Sequence, residues 1–115
     1  TAVTKITNHT NTMPVATVVN TADVKTGGAL ADDYEGVLVK VENVTVTELN
    51  PTIHGSDPAA DLCVVNNDLR IDNLIYTTMP AFTVGQSFSS ITGILMFQRE
   101  DSKLEPRNAA DLIAQ

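Results

Sequence analysis

Tryptophan is absent from this sequence, cysteine occurs once, and aromatic residues make up only 4% of the 115. The single cysteine, Cys63, excludes an internal disulfide and any multi-thiolate metal centre. It lies in the apolar run Leu62-Cys63-Val64-Val65, the setting of a buried and inert thiol. Histidine is almost as scarce, with His9 and His54 alone. A hydrolytic centre needs a nucleophile beside a base. Neither histidine stands near a Gly-x-Ser-x-Gly or cysteine motif, so both read as surface residues. Zinc needs three or four nitrogen or sulfur ligands, and the chain cannot supply them at a sensible spacing. Gly27-Gly28 lacks the Lys-Ser/Thr of a phosphate cradle. The sequence thus points to no enzyme, no metal and no cofactor.

Basic residues are the next shortage: seven Lys and Arg stand against fourteen Asp and Glu, a net charge of −7. Nucleic-acid affinity rests largely on cations replacing counterions along a phosphate backbone, so this balance disfavours it, and anionic membrane surfaces likewise. Solubility is the plain reading of the charge. No apolar run approaches the ~20 residues that span a bilayer. The chain opens at Thr1 with neither Met nor a secretory leader. We therefore expect a processed or excised piece, preceded by a removed leader or another domain.

What the chain does have is β-branched Val and Thr in quantity, a bias toward strands. Its length fits one domain that buries roughly 65% of the surface exposed by its unfolded chain. Residues 1–13 form an N-terminal extension or linker, and residues 14–115 the domain. The extension has only Val3 and Ile6 as large apolar residues before Met13, with no sustained period. Burying those two would return roughly 3–6 kcal/mol, less than ordering the segment at about 1 kcal/mol per residue.

Residues 14–19 are a short strand candidate with Pro14 at its start. Helical turns follow at residues 21–24, capped by Thr21, and at 30–34, closed by Gly36. The most informative stretch is 37–47. Val37, Val39 and Val41 occupy odd positions, and Val44 and Val46 even ones. A period of two sends these groups to opposite faces, unless an extra residue near Glu42-Asn43 restores one face as a β-bulge does. Residues 48–60, with Asn50-Pro51 and Asp57-Pro58, form a loop. Strands are expected at 61–65 and 69–76, joined by the tight turn Asn66-Asn67-Asp68. After a connection through Pro80 comes a long strand, 87–98, in which Gly93 marks a bulge or a close backbone approach. A polar turn at 99–102 leads to a short strand at 103–106, and Asn108 caps a last turn. The count is five strands in the body plus an early one, fewer than the seven of an open sandwich. A small all-β barrel fits, its core holding Val39, Val41, Val44, Val46, Ile71, Ile94 and Leu104.

Four stretches carry a family resemblance: Tyr34-Glu35-Gly36-Val37-Leu38-Val39-Lys40-Val41-Glu42-Asn43-Val44-Thr45-Val46-Thr47, then Asn67-Asp68-Leu69-Arg70-Ile71-Asp72-Asn73-Leu74-Ile75-Tyr76, then Val84-Gly85 with Ser89-Ser90-Ile91-Thr92-Gly93-Ile94-Leu95, and Lys103-Leu104-Glu105-Pro106-Arg107-Asn108-Ala109-Ala110-Asp111. Together they resemble OB-fold domains of large secreted bacterial proteins, found beside endonuclease/exonuclease/phosphatase domains in extracellular nucleases. The resemblance implies a small OB-type five-stranded barrel with an extra N-terminal strand or extension. It also implies an accessory module, secreted or on the cell surface, with catalysis housed in another domain.

OB folds that hold single-stranded nucleic acid use aromatic stacking and basic residues. Arg70, Tyr76, Phe97 and Arg99 are the residues with that chemistry on the relevant strands, and they are the candidate ligand contacts. Asp32, Asp33 and Glu35, and Asp57 with Asp61, match no calcium motif and read as solvated loop acids. Three functions follow in order. The first is a non-catalytic binding or spacer module whose partners are other domains or copies of itself. The second is a structural subunit that self-assembles into an extracellular polymer through its N-terminal segment. The third is single-stranded nucleic-acid binding, ranked last because of the charge.

Overall fold

Two strands of 12 residues each, β2 (Leu38–Leu49) and β5 (Ser87–Gln98), carry the architecture. The computed structural model describes residues 15–49, 51, 62–98 and 101–115. The shorter strands are β1 (Thr17–Val18), β3 (Cys63–Val65), β4 (Leu69–Ile71), β6 (Asp101–Glu105) and β7 (Leu112–Ala114). β2 pairs with β5 through Leu38–Thr45 and with β3 through Val46–Leu49. β5 passes from β2 to β6 near Ile94. Each long strand thus serves both halves of one ring, β2-β3-β4-β6-β5 and back to β2. All ring pairings are antiparallel except β4–β6, which sets Arg70 beside Lys103 and Ile71 beside Leu104 in parallel. A closed five-stranded ring with its third and fifth strands parallel is an OB-type barrel. β1 and β7 extend it, β1 parallel to β2 at Val39–Lys40 and β7 antiparallel to β5.

The change of face in β2 is real, but it differs from the bulge that the sequence suggests. Val39, Val41, Val44 and Val46 are all buried, while Glu42 and Asn43 between them are exposed. Asn43 takes the left-handed conformation, φ +53°, a state that short polar side chains tolerate better than most. Opposite it, β5 shifts as well: Phe88 and Ile91, three apart, both point into the core. Glu42 faces Ser90 and Val44 faces Phe88, so the register is kept and both strands turn their faces together. True register shifts occur between Val46 and Glu48 against β3, and between Phe88 and Ser90 against β7.

The core contains the expected Val39, Val41, Val44, Val46, Ile71 and Leu104. Ile94 is a correction: it is only half-buried, and Ile91 and Leu95 fill the barrel from that strand. β4 also ends sooner than the expected residue 76. Asp72 donates its N–H to the Leu104 carbonyl at 3.1 Å, and Leu74 donates to Glu105 Oε1 at 3.0 Å. Those bonds draw the chain over β6 and away from the ladder. Asp101 and Ser102, expected in a turn, belong to β6, where Asp101 pairs with Gln98.

Helix α1 (Thr21–Val24) forms as expected, but Asn20 precedes it without a side-chain cap. Thr21 Oγ1 instead donates to Asp68 Oδ2 at 3.0 Å. Helix α2 (Ala31–Tyr34) follows, and Gly36 takes a left-handed turn at φ +82°. Asn66 and Asn67 are left-handed, at φ +53° and +62°, as the tight β3–β4 turn requires. Asn108 caps the 3₁₀ turn Ala109–Asp111 through Ala110 N–H at 3.0 Å. The N-terminal extension, residues 1–13, lies outside the described residues, as do His9, His54, Asp57 and Asp61.

Candidate functional site

Of the four residues singled out for ligand contact, the three described ones, Arg70, Tyr76 and Phe97, lie on different parts of the barrel. Arg70 points outward from β4, between the inward Leu69 and Ile71. Its side chain is only 11% exposed and lies 3.5 Å from Asp101 Oδ1. Phe97 is 53% exposed and shares the parity of Leu95, so it lies on the opposite face of the β5–β6 strip from Arg70. Tyr76 packs against the core from the connection between β4 and β5. It lines an apolar cleft of about 240 Å³ with Phe82 and Phe88, whose rings meet edge to face at 5.6 Å. Arg99 lies outside the described residues.

β6 explains why Arg70 is occupied. With Leu104 facing the core, Asp101, Lys103 and Glu105 form an alternating row on the outer face. Yet all three are at most 2% exposed. Thr26 Oγ1 donates to Asp101 Oδ1 at 3.0 Å and accepts the Ser102 N–H at 3.0 Å. Leu74 covers Glu105 from the other end. Glu105 Oε2 is buried with no hydrogen-bond partner. Burial first, and then the neighbouring Asp72 carboxyl, push the Glu105 carboxyl up to about 8. Burial of this kind favours the neutral form of a carboxyl. Just beyond β6, Arg107 grips Asp111 through both carboxylate oxygens, at 2.8 and 2.9 Å. Burial opposes the Asp111 charge, but the Arg107 bonds outweigh it and hold the carboxyl below its usual range. Burial pushes the Cys63 thiol up to about 12, far from a reactive thiolate. The loop acids Asp32, Asp33 and Glu35 are exposed. Among the described residues no cluster of His, Cys, Asp and Glu could hold a metal ion.

Among the described residues, a notch of about 290 Å³ in one edge of β2 presents polar side chains. That edge is paired with β1 as far as Lys40 and with β3 from Val46 onward. The Lys40 carbonyl accepts Val19 N–H at 2.9 Å, and the Thr45 carbonyl accepts Asn66 N–H at 2.9 Å. Between these two closures no strand among the described residues covers the edge, because β1 turns away at Asn20 into α1. The Thr21–Asp68 bond ties α1 to the β3–β4 turn. The notch is lined by Val18, Val19, Asn20, Glu42, Asn43 and Asn66, among others. Asn66 Oδ1 accepts the Thr45 N–H at 3.0 Å. Among the described residues, the side chains of Asn20, Glu42 and Asn43 make no hydrogen bond. Sequence reading met Asn43 only as a change of strand face and Asn66 as a turn. Their meeting with Asn20 depends on the parallel β1–β2 pair, which no local pattern announces.

No protein-family model matches the chain, and no curated protein or solved structure matches it either.

Proposed function

We propose that this chain is a non-catalytic OB-type module of a secreted or cell-surface bacterial protein, acting as a binding or spacing unit beside other domains or copies of itself. The observation that carries this reading is where the reactive side chains lie. Arg70 and Asp101, and Arg107 and Asp111, are paired with each other. Lys103, Glu105 and Cys63 are buried. A catalyst or a nucleic-acid binder would present such groups to its substrate. The sequence resemblance to accessory domains of secreted proteins and the acidic, solubilising charge support the extracellular setting. β1 and β7 each have one edge with no strand beside it among the described residues, which suits contact with a neighbouring domain or copy.

Mixing the purified chain with single-stranded DNA at physiological salt is expected to give neither retention nor cleavage. Micromolar retention that weakens steeply as salt rises would overturn the reading and make Arg70, Tyr76 and Arg99 contact residues. Cleavage products would overturn its non-catalytic half.

A further inference from the structure

We infer that the notch between β1 and the β3–β4 turn is a binding site for a neutral carbohydrate. The inference rests on reading the chain as a binding module, and it names the ligand class and the place. Three side chains that line the notch, Asn20, Glu42 and Asn43, make no hydrogen bond among the described residues, although they lie together in one concavity. A side-chain amide offers both donors and an acceptor, and a carboxylate accepts. Vicinal hydroxyls of a sugar ring, each donor and acceptor at once, fit that mixture. Val18 and Val19 supply an apolar flank against which the C–H face of a ring can pack. The notch is near the small end of ligand pockets, roughly 300–1,000 Å³, and suits a short stretch of glycan.

Other ligand classes fit less well. Among the described residues no Lys or Arg lines the notch, and Glu42 together with the net charge of −7 repels anions. No aromatic ring among the described residues lines it, so they offer no platform for nucleobase stacking. One carboxylate is too few for a calcium ion, which wants six to eight oxygens. Asn43 adds a positional argument. Asn43 is left-handed at φ +53°, a conformation open to glycine and asparagine. Asparagine tolerates this conformation nearly as well as glycine and places an amide at the notch.

The test is an amide-resolved NMR titration of the chain with neutral gluco-, manno-, xylo- and chito-oligosaccharides, with a sulfated saccharide as control. At least one neutral series is expected to shift the amides of Val18, Val19, Asn20, Glu42, Asn43 and Asn66, and the sulfated one to shift none. N43G should keep its melting temperature, since glycine suits the φ at that position, and bind about tenfold more weakly, the loss of one or two hydrogen bonds. The double variant N20A/E42Q should weaken binding comparably without touching strand pairing. Unchanged affinity in both variants would overturn the site. Shifts gathered around Tyr76 and Phe82 instead would overturn the notch but keep the module. Absence of shifts with every neutral series would overturn the carbohydrate assignment and leave the module to protein partners. Shortened oligosaccharides would overturn the non-catalytic reading itself.

Discussion

Raising the pH from about 5 to about 9 should lower the melting temperature of this domain by roughly 10–20 °C, and the substitution E105Q should remove most of that slope. The cause is one carboxyl. Glu105 has no exposed surface, and its Oε2 has no hydrogen-bond partner. Its pKa is raised from 4.5 to about 8 by burial first and by Asp72 second, against the opposing pull of the Leu74 N–H and Lys103. A group whose folded pKa lies above its unfolded one binds more protons in the folded state. Its contribution to stability is complete below pH 4.5 and is lost as pH rises through about 8. The full swing is on the order of 4 kcal/mol. Asp111 acts in the opposite sense: its folded pKa is lowered, so its contribution is lost only in acid, as pH falls through that value. The two windows are separate, and the slope between about pH 5 and 9 belongs to Glu105; the raised Cys63 thiol loses its contribution only as pH climbs from its usual 9 toward about 12. Glutamine keeps the shape and the acceptor for Leu74 but carries no charge to bury. E105Q should therefore exceed the parent in stability at about pH 9. A parent profile that stays flat, or an E105Q profile with the parent's slope, would show that Glu105 is not held neutral.

The second large effect is expected from G93A, a destabilisation of about 3 kcal/mol or more in urea unfolding, through overpacking. A methyl at Gly93 would stand 2.5 Å from the Glu105 carbonyl oxygen and 2.8 Å from Pro106 N. Both are backbone atoms and cannot swing aside. The contact lies where β6 leaves β5 beyond the Ile94–Glu105 pair, and opposite Gly93 stands Val39 of β2. Pushing β6 away loosens the β4–β6 seam and the cover over Glu105 together. T92A, one residue away and only partly buried, serves as the comparison and should cost little, within about 0.5 kcal/mol as most surface changes do. If G93A unfolds at the same urea concentration as T92A, the close approach is not tight.

Much of this barrel can be read from sequence wherever a local pattern is decisive. The Val39-to-Val46 change of face, the Asn66-Asn67 turn and the Asn108 cap depend on neighbours in the chain. So does the warning at Gly93, although its meaning, a backbone crossing, is tertiary. Residues 91–97 are apolar on both parities around Gly93, apart from Thr92, so period alone could not choose Leu95 over Ile94 for the core. β4 ends at Ile71 because Asp72 and Leu74 bond to β6, partners more than thirty residues away. β7 exists only by pairing with β5, since three residues after a 3₁₀ turn carry no periodic signal. Arg70 is legible as a cation on a strand, but its neutralisation by Asp101 follows from the parallel β4–β6 seam.

That seam is also what closes the ring and buries the charged row of β6. Backbone nuclear Overhauser contacts across β4 and β6 test it most directly. The account predicts parallel-ladder contacts linking Arg70 with Lys103 and Ile71 with Leu104, alongside the antiparallel Val41–Ile91 contact of β2 and β5. Finding the β2–β5 contact with no contact between β4 and β6, and Lys103 open to solvent, would contradict it.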